Sequence, residues 1–292
     1  MNPAIKTTGL SKSYGDVVAL DSVNLEIDGP SIIGLLGKNG SGKTTLIRQI
    51  MGEHLPTGGN VETLGVPASG LGQNELSTMG YVPQEIRLLD WMTVAQHLRY
   101  VATFYPDWDE RRQKRLLDEF ELNDKKVIAT LSKGNLQKIA IILAVCHHPG
   151  LLVLDEPVSD LDPIVRRRFL EFLLELVRED ESTIIVSSHI LVDIEKVVDR
   201  VICLKEGHLV TDSLLDDLKD SYTEWVVTSS NGPLPEVFDE PFILRQKTDG
   251  QQARLTVMTV VDEADGFSRD HHVDIIKRPL NLEEIFPFLV GE

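Results

Sequence analysis

Short apolar runs separated by polar, helix-forming stretches set the pattern of this chain. Four of them, Ser31 to Leu36, Leu151 to Leu154, Thr183 to Ser187 and Val201 to Leu204, are rich in Ile, Leu and Val, and each passes into loop chemistry. Runs of this kind alternating with helices predict a mostly parallel β-sheet covered on both faces. The first thirty residues read differently, because Val17 to Leu20 and Val23 to Ile27, ahead of a Gly29-Pro30 turn, predict antiparallel hairpins. From about Glu85 to Pro149 the pattern is mainly helical and predicts a lobe of its own. Within it, Arg111 to Phe120 is charged on one side and stops near Asn123, as a surface helix does.

After about Asp220 the texture changes to short β-like runs: Glu224 to Thr228, Phe242 to Arg245, Arg254 to Val261 and Val273 to Lys277. A polar, proline-containing stretch, Ser229 to Pro235, lies between the first two, and an amphipathic piece, Leu282 to Leu289, closes the chain. The expected division is a large α/β domain over residues 1–220 and a small α+β extension, without chemistry of its own, over residues 221–292.

Composition narrows the function classes. A chain of 292 residues with 42% hydrophobic content can bury one sizeable core and carry a modest appendage. Its formal charge of -17 would repel a nucleic-acid backbone or an anionic lipid surface. No nucleic-acid partner is therefore expected. The longest apolar run, Ile139 to Cys146, falls far short of the roughly 20 residues that span a bilayer, so membrane contact would come only through another chain. Met1 to Lys6 lacks the basic and apolar regions of a secretory signal, and a cytoplasmic location is expected. Cys146 and Cys203 stand alone in apolar stretches and read as small buried hydrophobes. The adjacent pairs His147-His148 and His271-His272 lack the spacing of three or four that puts metal ligands on one helix face, and both read as surface residues.

Gly37-Lys38-Asn39-Gly40-Ser41-Gly42-Lys43-Thr44 fits the phosphate loop G-x-x-x-x-G-K-[ST] and stands between a strand and a helix, where that loop has to stand. Its glycines let backbone N–H groups turn inward onto phosphate oxygens, and the following helix points its positive end at the same anion. Lys43 would reach the β and γ phosphates and the Thr44 hydroxyl would ligate magnesium, with Thr45 beside it on the nucleotide. At about 4 Å and an effective dielectric near 20, one lysine–phosphate pair is worth roughly 4 kcal/mol before desolvation. Leu151 to Leu154 then ends in Asp155-Glu156. Asp155 suits the magnesium shell, which leaves Glu156 to orient and deprotonate the attacking water. An Asp-Glu pair after a strand, taken alone, is usually a solvated strand end; the upstream phosphate loop changes its meaning.

Leu131-Ser132-Lys133-Gly134-Asn135 precedes Asp155 and opens an apolar helix. It resembles the LSGGQ signature of ABC ATPases, departing from it at Lys133 and Asn135. Ser132 would serve equally as a helix N-cap. The other landmarks of that family follow in order: Tyr14 where an aromatic stacks on adenine, Gln84 in a stretch similar to the Q-loop, Ser159-Asp160-Leu161-Asp162 similar to the D-loop, and His189 matching the switch histidine. For Tyr14 alone a core aromatic is as good a reading. The resemblance covers about residues 3 to 215.

What the resemblance implies is a P-loop NTPase cassette: a mostly parallel sheet, an N-terminal antiparallel β subdomain, a helical subdomain over about 85–150 and a small C-terminal α+β extension. It implies ATP and magnesium as cofactors, with Thr44, Gln84 and Asp155 at the metal and Glu156, His189 and Gln84 in catalysis. Two cassettes, identical or paralogous, would close head to tail so that Ser132 and Gly134 of one face the nucleotide of the other. A transmembrane permease seated near Gln84 would hold the chain at the inner face of the cell membrane. Phe104 to Asp109 and Asn281 to Phe286 resemble ATPase subunits of ABC-2 type exporters. An importer ATPase would share every catalytic residue, and a non-transport ABC ATPase acting on ribosomes or DNA fits the single cassette and acidic charge less well.

Overall fold

The computed structural model describes residues 3–258 and 263–291. Residues 1 and 2, read above for a leader, and 259–261, the end of one expected strand, lie outside them. The chain forms two compact units, Met1–Asp212 and Ser213–Glu292.

The first unit opens with β1 (Ile5–Tyr14) and β2 (Val17–Ile27), which pair antiparallel. The two apolar runs expected as separate hairpin arms are one strand. Its alternation slips by a residue at Asp21-Ser22, where Ser22 takes a left-handed φ of 50° and the ladder bulges, so Leu20 and Val23 both still face inward. After β3 (Ser31–Leu36) and α1 (Lys43–Ile50), β4 (Gly58–Thr63) and β5 (Val66–Pro67) complete this sheet in the order β2-β1-β4-β5. The short α2 (Gln73–Leu76) leads to β6 (Met79–Val82), a strand that the apolar pattern does not reveal.

The helical lobe holds α3 (Val94–Ala102), α4 (Glu110–Glu119) and α5 (Lys133–Val145), begun by Thr93, Asp109 and Ser132 as N-caps. Then β7 (Leu151–Asp155), α6 (Pro163–Glu179), β8 (Thr183–Ser187), the single turn α7 (Leu191–Ile194), β9 (Arg200–Lys205) and β10 (His208–Leu214) build the central sheet, ordered β10-β9-β3-β8-β7-β6. Strands β9, β3, β8, β7 and β6 run parallel, and the registers place Asp155 opposite Ser187. Ile5, Leu20, Leu46, Leu151 and Ile202 share one buried cluster, so the antiparallel sheet and the central sheet close on α1 from both sides.

Arg112 of α4 locks the helical lobe to the base of α6. Its guanidinium donates to both carboxylate oxygens of Asp180, at 2.6 and 3.1 Å, and to the carbonyl of Val145 at the end of α5. Beside it the expectation of surface histidines divides. His148 is partly exposed and bonds Asp180 at 2.9 Å. His147 is buried: its Nε2 meets the Met79 carbonyl at 3.0 Å and its ring stacks on Tyr105 at 4.1 Å, because β6, which like β4, β5 and β10 goes unread in the sequence, covers it. Burial pushes its pKa down. Cys146 and Cys203 are both buried, and burial pushes their thiols up to about 12 and about 11.

The second unit contains α8 (Leu215–Asp220), β11 (Tyr222–Ser229), β12 (Ile243–Asp249), β13 (Gln252–Met258), α9 (Ala264–His271), β14 (Val273–Pro279) and α10 (Leu282–Val290), with an antiparallel sheet ordered β12-β13-β11-β14. Helix α8 packs on β11, so the division falls ahead of the expected Asp220. Helix α9 was not foreseen. Its Phe267 closes the core made by Trp225, Phe238 and Leu255, and His271 pairs with Glu240 at 2.6 Å.

Candidate active site

Parallel strands β3, β8 and β7 lie side by side, and the segments leaving their carboxyl ends converge on one place. The phosphate loop leaves β3. Gly42 stands immediately before α1 with φ of 107°, and a Cβ there would lie 2.5 Å from the Ala19 carbonyl of β2, so only glycine passes. Asn39, Gly40, Gly42, Lys43, Thr44 and Thr45 line a pocket of about 460 Å³ whose other walls include Tyr14, Gln84, Asp155 and Glu156. Gly37 and Lys38 do not line it, and their carbonyls receive the Lys43 ammonium at 2.6 and 3.1 Å. Burial lowers the Lys43 pKa, and the charges of Glu156 and Asp155 pull it back up. Ser41 is buried against Gly37, and its hydroxyl has no hydrogen-bond partner among the described residues.

A chain of hydrogen bonds ties the acidic residues together. Thr44 Oγ1 donates to Asp155 Oδ2 at 2.9 Å, and Ser187 Oγ donates to Asp155 Oδ1 at 2.7 Å. The same Ser187 hydroxyl accepts the Glu156 backbone N–H at 2.9 Å. Glu156 has φ of 54°, a left-handed conformation that a non-glycine residue holds only when its surroundings insist. Ser187 on its N–H and Ser159, whose hydroxyl donates to its carbonyl at 3.1 Å, supply that insistence. The Glu156 carboxylate then meets His189 Nδ1 at 2.7 Å. Sequence reasoning missed Ser187. The signal was a pair of serines, Ser187-Ser188, ending an otherwise buried apolar strand just before His189.

Tyr14 is 44% exposed rather than a core aromatic. Ser132 and Gly134 do not line this pocket. Ser132 caps α5, its Oγ accepting the Asn135 N–H at 3.4 Å, and Gly134 lies so close under the Asp160 carbonyl that a Cβ would fall 2.5 Å from it. The signature-like turn and the D-loop-like turn thus touch within one chain.

Known proteins share this fold. Residues 20–159 match the family model described as ABC transporter. The bacitracin transport ATP-binding protein BcrA of Bacillus licheniformis is 30% identical across 100% of this chain and 98% of its own. The Nod factor export ATP-binding protein I of Rhizobium etli is 28% identical across 99% and 93%. Among solved structures, a dimeric ATP-binding cassette in a post-hydrolysis state with ADP and Pi is 26% identical, with a TM-score of 0.64 over 72% of this chain and 98% of that one. The chain belongs to the ABC transporter family as one of its ATP-binding proteins. It is the ATP-binding, ATP-hydrolysing subunit that energises an ABC transporter, a family whose cassettes dimerise and pair with transmembrane subunits.

Proposed function

We propose that this cassette drives export, as the ATPase of an ABC-2 type exporter, and that its pocket residues act as follows. The phosphate loop from Gly37 to Thr44, with Thr45, holds the triphosphate, and Lys43 moves from its two carbonyls to the β and γ oxygens. Tyr14 stacks on the base. Glu156 takes a proton from the attacking water, and His189 steadies both Glu156 and the γ-phosphate. The observation that carries this is the continuous run of hydrogen bonds Thr44–Asp155–Ser187–Glu156–His189 at the phosphate loop. The export reading is supported by full-length similarity to a transport and an export ATP-binding protein.

Magnesium fits the residues present: Thr44 Oγ1 and Asp155 Oδ2 are oxygen ligands already held together, and Gln84, whose amide offers a further oxygen, lines the same pocket. When bound, the ion would neutralise charge on the β and γ oxygens. Ser132 and Gly134 do not line their own chain's pocket, and a second cassette closing head to tail would bring them onto the γ-phosphate. No helix among the described residues is long and apolar enough to cross a membrane, so a permease seated near Gln84 would carry the transport path and keep this chain peripheral to the membrane.

Glu156→Gln tests the scheme. Hydrolysis should fall by about 10² to 10⁴-fold while ATP still binds, since Lys43, Thr44 and Asp155 remain. Unspent ATP should then hold a dimer visible by sizing chromatography, and adding Ser132→Arg should abolish it. Hydrolysis within a few-fold of wild type would remove Glu156 from its role. Co-purification with ribosomes or DNA, in place of a polytopic membrane chain, would overturn the transport reading.

A further inference from the structure

The ring of Tyr14 is held from outside the pocket. Its Oη lies 2.6 Å from His54 Nδ1, and the two rings meet edge to face at 5.8 Å and 70°. The Lys12 ammonium sits over the Tyr14 ring, 5.1 Å from its centroid, and donates to the Leu55 carbonyl at 2.6 Å. His54 and Leu55 are neighbours in the segment that leaves α1, and that segment is itself fastened to the helix. The N–H groups of Glu53 and His54 both donate to the Arg48 carbonyl, at 3.0 and 3.4 Å. Helix α1 begins at Lys43. One helix therefore anchors the phosphate loop at its start and braces the Tyr14 ring from its end.

This arrangement has a consequence for binding. A partly exposed tyrosine at a strand end would ordinarily sample several rotamers and lose that freedom when a base stacks on it. Here the hydroxyl is pinned by His54, one face is covered by Lys12, and the ring is fixed before the nucleotide arrives. We propose that His54, supported by Lys12, is a positioning residue that pre-orders Tyr14 as the base platform. It sets affinity for the base half of the nucleotide while the phosphate half is bound independently. The proposal rests on the reading of Tyr14 as the base-stacking residue.

Calorimetric binding to the full chain, with magnesium and either ATP, GTP or inorganic tripolyphosphate, separates the two halves, because tripolyphosphate has the anion without the base. His54→Ala should weaken ATP and GTP about two- to ten-fold, the loss expected when one side chain must be ordered on binding, and leave tripolyphosphate unchanged. His54→Gln, whose amide can still meet Tyr14 Oη, should restore most of the affinity. Tyr14→Phe should weaken ATP like His54→Ala, and the double variant should be no worse than either. Equal weakening of tripolyphosphate would mean that His54 acts by disturbing α1, and would overturn the proposal. Unchanged ATP and GTP affinity in His54→Ala, where Tyr14→Ala loses both, would also overturn it and leave base stacking standing. Unchanged ATP affinity in Tyr14→Ala would overturn the stacking role of Tyr14 and the brace with it.

Discussion

One hydroxyl, that of Ser187, serves two functional groups at once, fixing the Asp155 carboxylate through Oδ1 and the Glu156 backbone through its N–H. Ser187→Ala strands both partners in a buried place, and an unsatisfied buried polar group costs about 1 to 3 kcal/mol. Urea denaturation of Ser187→Ala should show a loss of that size, and steady-state hydrolysis should fall because the Glu156 N–H loses the bond that helps hold its left-handed backbone. Undiminished stability and hydrolysis would assign the orientation of Asp155 to Thr44 alone. The acidic pair itself was legible in the sequence, since an apolar strand ending in Asp155-Glu156 downstream of a phosphate loop has few other uses. Ser187 was not, because a serine at a strand end has many uses, and only the register that sets it opposite Asp155 selects one.

Elements packed across long sequence separations hold the helical lobe in place, and the Arg112–Asp180 pair is their tightest join. Both side chains are 7% exposed, and removing one partner leaves a buried charge without its counter-ion. Arg112→Ala should destabilise the first unit by about 3 to 5 kcal/mol, read by urea or thermal unfolding. Acid should do the same by degrees. Burial alone would raise the Asp180 pKa, yet the hydrogen bonds and charges of Arg112 and His148 outweigh it and hold the carboxyl below its ordinary range. A depressed carboxylate contributes stability that is full above its unfolded pKa, about 4, and is lost as pH falls through its folded value. An acid titration of unfolding should therefore show a smaller loss below pH 4 in Asp180→Asn than in the wild type. None of this join is readable locally, because Arg112 lies in a helix that looks like an exposed charged surface and its partner is a helix-end residue 68 positions away. Buried central strands announce themselves by runs of Ile, Leu and Val, whereas Met79 to Val82 holds a glycine, a tyrosine and a single β-branched residue and lacks that signal, so the strand that covers His147 goes unread and the histidine with it.

At the scale of the whole molecule, among the described residues the pocket is lined by the first unit and the Trp225–Phe267 core is built from the second. Ending the chain at Asp220 should leave ATP affinity within a few-fold of the full chain, measured by calorimetry. A folded, shortened chain that bound no nucleotide would place a part of the site in the extension. The two buried thiols allow opening to be timed. With pKa values near 12 and 11, neither Cys146 nor Cys203 offers appreciable thiolate at neutral pH, so an alkylating reagent should find no target until the protein around each sulfur opens. Cys203 sits in β9 of the central sheet, and Cys146 ends α5 of the helical lobe. Iodoacetamide uptake followed by peptide mass spectrometry would run as two internal clocks, one for sheet and one for lobe. If nucleotide slows both equally, the unit breathes as one body; if it slows only Cys203, the lobe keeps its own time.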